Sequence, residues 1–378
     1  MKVALVIDDA LARPDGVQEY VRAIGVYLAG AGHEVHVLCS GDGGEPPRGV
    51  TAVHSLTKNM AVSFNGNSLR TPRPASRKRL RALLDAERFD VIHVMSPHSP
   101  VFGARVVDEA RALQARSVRI VGSFVILPDG NTSDAGTRLL GRLLARNLRR
   151  FDAFTALSGP AATFAQRAFA VECEALPASV DLKQVRAQAA AAPWVGQGSD
   201  KVVISFLGRL VERKGVLELI EALAALPYAL RERIEVRIGG RGPLAKDVTA
   251  AIEAHGLGDT VRLEGFIADS DKPGFLAAAD IAVFPATGGE SFGIVLIEAM
   301  AAGAGAVIAG NNPGYAWTMN DPDAMVEPRD PGAFAAVLER LISDPTARRA
   351  LHKRQQARVE FFDESVVGAQ LEQLYGIH

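Results

Sequence analysis

The chain has 378 residues, of which 48% are hydrophobic and 22% charged, and its net charge is −1. That length allows two domains of ordinary size, and that composition excludes a disordered chain. No apolar run reaches the ~18 residues needed to span a bilayer, and the two cysteines, Cys39 and Cys173, exclude a disulfide framework and a thiolate metal site.

The opening run Lys2–Ile7 reads as a strand. It is followed by Asp8-Asp9 and by no signal-peptide cleavage pattern, so a cytoplasmic protein is expected. A helical pattern from about Val17 to Ala31 and a strand from Glu34 to Cys39 come next. Val91–Val94 and Ile120–Phe124 read as buried strands separated by helix-length segments, which implies a parallel sheet covered on both faces. Residues 177–200 hold Pro177, an Ala-rich stretch, Pro193 and Gly196-Gln197-Gly198-Ser199, and read as a linker and surface excursion. A second alternation begins at Val202–Leu207 and continues through Glu235–Ile238, Val261–Leu263, Ile281–Phe284 and Ala306–Ala309. The last helix, Glu364–Tyr375, is amphipathic through Val366, Val367, Leu371 and Leu374. The expected class is α/β: two Rossmann-like doubly wound domains facing each other across a cleft, with ligands at the carboxyl ends of the strands.

Charge divides along the chain. Residues 1–180 carry 22 Lys and Arg against 17 Asp and Glu, and the remainder carries 20 against 26. The basic half is the candidate for meeting an anionic partner.

Two segments of the second half follow strands and suit a nucleotide sugar. Arg209 and Lys214, in Gly208-Arg209-Leu210-Val211-Glu212-Arg213-Lys214-Gly215, offer a forked donor and a point charge to a diphosphate. The run Gly288-Gly289-Glu290-Ser291-Phe292-Gly293 leads into an apolar helix from Ile294 to Gly303. Gly293 permits close backbone approach, and a helix start offers free amides. Glu290 lies just before this helix, placed to accept bonds from sugar hydroxyls. Glu298 lies within it, where a buried carboxylate needs a partner such as a ribose diol.

The run from Gly288 to Gly303 resembles the signature of family 4 retaining glycosyltransferases, which have the GT-B fold. Asp15-Gly16-Val17-Gln18 resembles their N-terminal glycine loop, and Gly208-Arg209 with Lys214 resembles their diphosphate clamp. Within the family the sequence is most similar to bacterial phosphatidylinositol mannosyltransferases. The resemblance implies that the Gly16 amide, Arg209 and Lys214 hold the diphosphate. Glu290 with the amides of Phe292, Gly293 and Ile294 would hold the sugar and distal phosphate, and Glu298 the ribose. Asp269 and Lys272 keep the spacing that serves guanine in GDP-using members, so a GDP-sugar is favoured over a UDP-sugar as co-substrate, with no cofactor and no metal. The domain limits implied are 1–177 together with 362–378, and 178–361.

From Phe64 to Leu84 six basic residues occur with no acidic one. Arg77, Lys78, Arg79 and Arg81 flank Leu80, Leu83 and Leu84, which predicts a basic amphipathic helix lying on anionic lipid. The competing reading packs those leucines on the core and leaves the arginines solvated. Asn65 and Arg70 match the family's inositol-phosphate loop. The expected partners are therefore a nucleotide sugar and an anionic lipid or membrane surface, with no nucleic acid, on the inner face of the cell membrane. The implied function is retaining transfer of a hexose, mannose from GDP-mannose, to a lipid or polyol-phosphate acceptor such as phosphatidylinositol.

Val125 stands where the family commonly has a histidine that positions the donor sugar. Of the eight histidines, His93 reads as a satisfied core residue and His98 as a possible cleft residue. The missing histidine supports a second reading, a non-catalytic relative that binds a sugar nucleotide or lipid. A GT-B epimerase or phosphorylase is a third, and the Glu290–Glu298 signature counts against it.

Overall fold

A computed structural model describes residues 1–12, 15–64, 67–114, 117–127, 147–191, 194 and 201–377, with the backbone alone for 61–64, 67–70 and 114. The chain divides into two compact units, Met1–Ser179 with Glu364–His378, and Val180–Asp363.

The first unit is built on a seven-stranded sheet. Its strands are β1 (Lys2–Ile7), β2 (Glu34–Ser40), β3 (Ala52–Thr57), β6 (Val91–Met95), β7 (Arg119–Phe124), β8 (Ala153–Ala156) and β9 (Glu174–Ala175), all paired in parallel. Their order across the sheet is β3-β2-β1-β6-β7-β8-β9. The central strands are apolar nearly throughout because helices cover both faces; Val3 to Val6 and Val91 and Ile92 are fully buried. Between β3 and β6 an antiparallel hairpin, β4 (Asn59–Phe64) with β5 (Asn67–Pro72), precedes the helix Arg77–Glu87.

The second unit carries a six-stranded parallel sheet. Here β10 is Val202–Leu207, β11 Ile234–Gly239, β12 Val261–Gly265, β13 Ile281–Phe284, β14 Ala306–Gly310 and β15 Met325–Val326. The strand order is β12-β11-β10-β13-β14-β15. Residues 177–200, expected as a linker, include a helix, Leu182–Ala191, that packs against the helices Lys272–Ala277 and Ile294–Ala302. The alanines that suggest low structure are the best helix formers available.

The last helix, Glu364–Tyr375, crosses back to the first unit. Gly368 lets its backbone sit on the Tyr27 ring, where a side chain would collide. At its end the Tyr375 hydroxyl lies 2.7 Å from His93 Nδ1, and Arg119 Nε donates to the Leu374 carbonyl at 2.7 Å. His93 Nε2 lies 2.7 Å from Ser123 Oγ, which in turn pairs with Thr155 Oγ1 at 2.7 Å. His93 is thus the satisfied core histidine that the sequence suggests. Burial pushes its pKa down to about 3, so the ring is neutral.

Candidate functional site

In the second unit the strand order reverses between β10 and β13, although the strands stay parallel. The loops that follow these two strands therefore open the crevice where sheets of this kind bind ligands. The first loop ends in a short 3-10 turn, Glu212–Lys214, and the second leads into the helix Ile294–Ala302. Gly215, at φ +73°, joins them, because a Cβ there would strike the Pro285 carbonyl. The Thr287 amide also donates to the Arg213 carbonyl at 2.9 Å.

Glu290 lies where the two loops meet, with its side chain 11% exposed. One oxygen, Oε1, accepts from Arg213 Nη1 and lies 2.8 Å from Lys214 Nζ. Two of the expected residues, Glu290 and Lys214, are therefore in direct contact. The second cation on the carboxylate is Arg213, which the sequence reading does not single out. Arg209 lies in the same loop with its side chain exposed.

The following turn is fixed from below. Gly293, at φ +100°, caps the helix, and a Cβ there would collide with the ring of Tyr315, itself 1% exposed. Burial, and secondarily the charge of Glu290, pushes the Tyr315 phenol well above its ordinary pKa. Phe292 is anchored by its side chain on Trp317 and Phe362, with ring centroids at 6.1 and 5.4 Å, and its carbonyl accepts from Thr318 Oγ1 at 2.6 Å. The amides at Phe292, Gly293 and Ile294 lie at the helix start, where the first N–H groups have no acceptor within the helix.

A second cluster lies along the same helix. Lys272 Nζ sits 2.6 Å from Asp269 Oδ1. Glu298 is half-buried, and its carboxyl pKa is raised by burial, an effect that Lys272 opposes and Asp269 reinforces. The three residues assigned to base and ribose thus share one electrostatic neighbourhood. Phe266, 55% exposed in the loop after β12, carries the Arg241 guanidinium 5.7 Å from its ring centre.

In the first unit the outcome differs from expectation at several positions. Gly16 opens the helix Gly16–Gly30, and its amide donates to the Asp15 carboxylate, the N-cap of that helix, at 2.8 Å. The helix Arg77–Glu87 does not offer an apolar face to lipid. Leu80 and Leu84 are fully buried in the core against Phe102 and Val106, and Leu83 packs beside them. Arg77 Nε lies 3.3 Å from the buried carboxylate of Glu109, and Arg81 Nε bonds to the same group. Lys78 and Arg79 remain exposed. Asn65 lies outside the described residues, and of Arg70 only the backbone, in β5, is described.

Val125 is 3% exposed and follows Phe124 out of β7. The His98 ring lies parallel to Phe124 and Phe169, with centroids at 5.7 and 5.6 Å, and burial lowers its pKa. Among the described residues one group, His36, His54 and Glu87, has side chains close enough to ligate a metal. There, however, His36 Nδ1 lies 2.9 Å from His54 Nε2, and Lys2 already bridges Glu34 and Glu87 at 2.9 Å each.

Comparison with known proteins follows the same division. Residues 14–184 match the model described as Glycosyltransferase Family 4, and residues 194–358 match that described as Glycosyl transferases group 1. The phosphatidyl-myo-inositol mannosyltransferase of Mycolicibacterium smegmatis is 30% identical over 99% of this chain and 93% of its own length. That of Propionibacterium freudenreichii subsp. shermanii is 28% identical over 100% and 95%. Among solved structures, a glycosyltransferase from Rickettsia africae aligns with a TM-score of 0.76 at 16% identity, covering 99% of this chain and 97% of its own. Anabaena HepE in complex with UDP and glucose aligns at 0.75 and 20%, covering 100% and 99%. With both family regions matched in order and a relative 30% identical along nearly the whole length, the chain belongs to the family 4 glycosyltransferases and is a transferase enzyme of GT-B fold.

Proposed function

We propose that this enzyme transfers mannose from GDP-mannose to phosphatidylinositol or a related inositol phosphate, with retention at the anomeric carbon. The observation that carries the donor half is the convergence of Glu290, Lys214 and Arg213 at the switch point of the second sheet. Cations at that place stabilise a departing nucleoside diphosphate without a metal. In this reading Arg209 adds a forked donor to the phosphates, the helix-start amides and Glu290 hold the sugar, and Glu298 takes the ribose.

The Asp269–Lys272 pair supports guanine. A carboxylate accepts from two neighbouring N–H donors, as on the guanine edge, whereas uracil presents one donor between two carbonyls. Retention by front-face substitution is read from the likeness to the family 4 retaining enzymes: the leaving diphosphate, helped by Arg209 and Lys214, departs ahead of acceptor attack on the same face.

The names of the relatives support an inositol-lipid acceptor. No helix among the described residues is long and apolar enough to cross a membrane. We place the enzyme peripherally, at the inner face of the cell membrane, with exposed Lys78 and Arg79 meeting anionic headgroups.

The test is transfer of label from GDP-mannose to phosphatidylinositol in vesicles, set beside UDP-glucose, UDP-GlcNAc and ADP-glucose. Labelled lipid from GDP-mannose alone, with an α linkage by NMR, is the expected result. Turnover of a UDP-sugar in its place would overturn the base assignment, and a β linkage would overturn retention.

A further inference from the structure

Around Glu290 two cationic side chains converge on a single atom. Arg213 and Lys214 are consecutive residues of a tight turn, yet their guanidinium and ammonium groups converge on one oxygen, Glu290 Oε1. Arg213 also lies 3.5 Å from the Gly289 carbonyl. Two cations brought to a single oxygen create a position that only an anionic oxygen satisfies. The 2.8 Å Lys214–Glu290 separation is that of a charge-assisted bond, the length either cation would make with phosphate. The turn packs closely on the strand-end loop, because Gly215 leaves no room for a side chain beside the Pro285 carbonyl.

We propose, resting on the reading of these loops as a donor site, that Arg213 and Lys214 form a paired phosphate-oxygen site, and that the diphosphate of the donor competes with the Glu290 carboxylate for it. Arg213 thereby becomes a donor-binding residue in its own right. Glu290 gains a second role as the internal counter-ion whose displacement frees its oxygens for sugar hydroxyls. Phosphate binding and sugar reading are coupled through one carboxylate: the sugar ligand becomes available when the phosphate takes the cations. An anion lacking the sugar, such as inorganic pyrophosphate, then has to displace Glu290 with no compensating contact.

The test is calorimetric titration of the full chain with inorganic pyrophosphate at low salt, comparing wild type with Glu290→Gln and Arg213→Gln. Removing one negative charge from between two cations tightens pyrophosphate binding by about tenfold in Glu290→Gln, and removing one cation weakens it by about tenfold in Arg213→Gln. Binding by Arg213→Gln also becomes less dependent on salt. Unchanged or weaker binding by Glu290→Gln overturns the competition, and unchanged binding by Arg213→Gln overturns the role of Arg213. Should Glu290→Gln not fold, Glu290→Ala takes its place in the same titration, with the same tightening expected and the same result overturning the competition. Wild type that binds pyrophosphate but no nucleoside diphosphate would sink the functional reading and the donor's part in the competition, while the competition between Glu290 and an inorganic phosphate oxygen would stand. GDP binding that neither substitution alters would do the reverse.

Discussion

Replacing Gly293 by alanine tests the foundation of the donor site with one methyl group. Gly293 is at φ +100°, and the added Cβ would meet the ring of Tyr315, which is 1% exposed and has no room to move. A left-handed backbone costs an L-residue about 1–2 kcal/mol, and forcing a methyl into a packed interior costs about 1–3 kcal/mol more. The expected loss is therefore about 2–5 kcal/mol, which for a unit of this size lowers its melting temperature by roughly 4–20 °C. Thermal unfolding with and without GDP measures it. The two contributions separate in a Tyr315→Leu background, where the collision is relieved and Gly293→Ala should cost only the backbone part. A Gly293→Ala enzyme that melts within a degree of wild type would refute the reasoning, because neither the cap conformation nor the Tyr315 contact could then be as described.

Other consequences are open to direct measurement. Lys214→Ala should lower kcat for mannosyl transfer by about 100- to 1000-fold, as loss of a charge-stabilising donor does, while melting near wild type; near-normal turnover would remove Lys214 from the site. Glu298 has a raised carboxyl pKa, so it contributes stability only at low pH and loses it as pH rises through its folded value. Glu298→Gln should accordingly melt at or above the wild-type temperature at pH 8 while its KM for donor rises, and a lower melting temperature would contradict the burial argument. His93, at about 3 against an ordinary 6.5, has no effect above pH 6.5 and destabilises the native state progressively as pH falls from there toward 3. Between pH 6.5 and 5 that amounts to about 2 kcal/mol; an NMR titration of the His93 ring with a midpoint near 6.5 would exclude it.

Strands are legible in the sequence where burial on both faces makes them continuously apolar: β1, β10 and β13 lie where the sequence places them. Short or half-exposed edge strands are not. β3, with half-exposed residues, and the two-residue β9 and β15 give no run long enough to read. The helix Arg77–Glu87 shows a different limit. An apolar stripe at helical spacing looks the same whether core or lipid covers it, and Leu80 and Leu84 turn out to face core. Arg213 escapes a sequence reading for a geometric reason. Neighbours in a 3-10 turn point about 120° apart, so adjacency in sequence does not show that two cations reach one group. Their long side chains bring both to Glu290.

The position of Glu290 gives a reason for a carboxylate, and not a neutral residue, in the proposed phosphate site. It precedes the helix Ile294–Ala302, whose N-terminus carries partial positive charge, and it faces Arg213 and Lys214. Three positive sources converge on one place, and without a counter-charge the two loops would repel each other across the switch point. A single carboxylate is enough to hold them together, yet leaves the cluster net positive. In the proposed donor site that residual charge would attract a diphosphate, while the bond Glu290 gives up would limit how tightly a sugarless one is held. The same residue would then both hold the two loops together and discriminate in favour of an anion that arrives with its sugar attached.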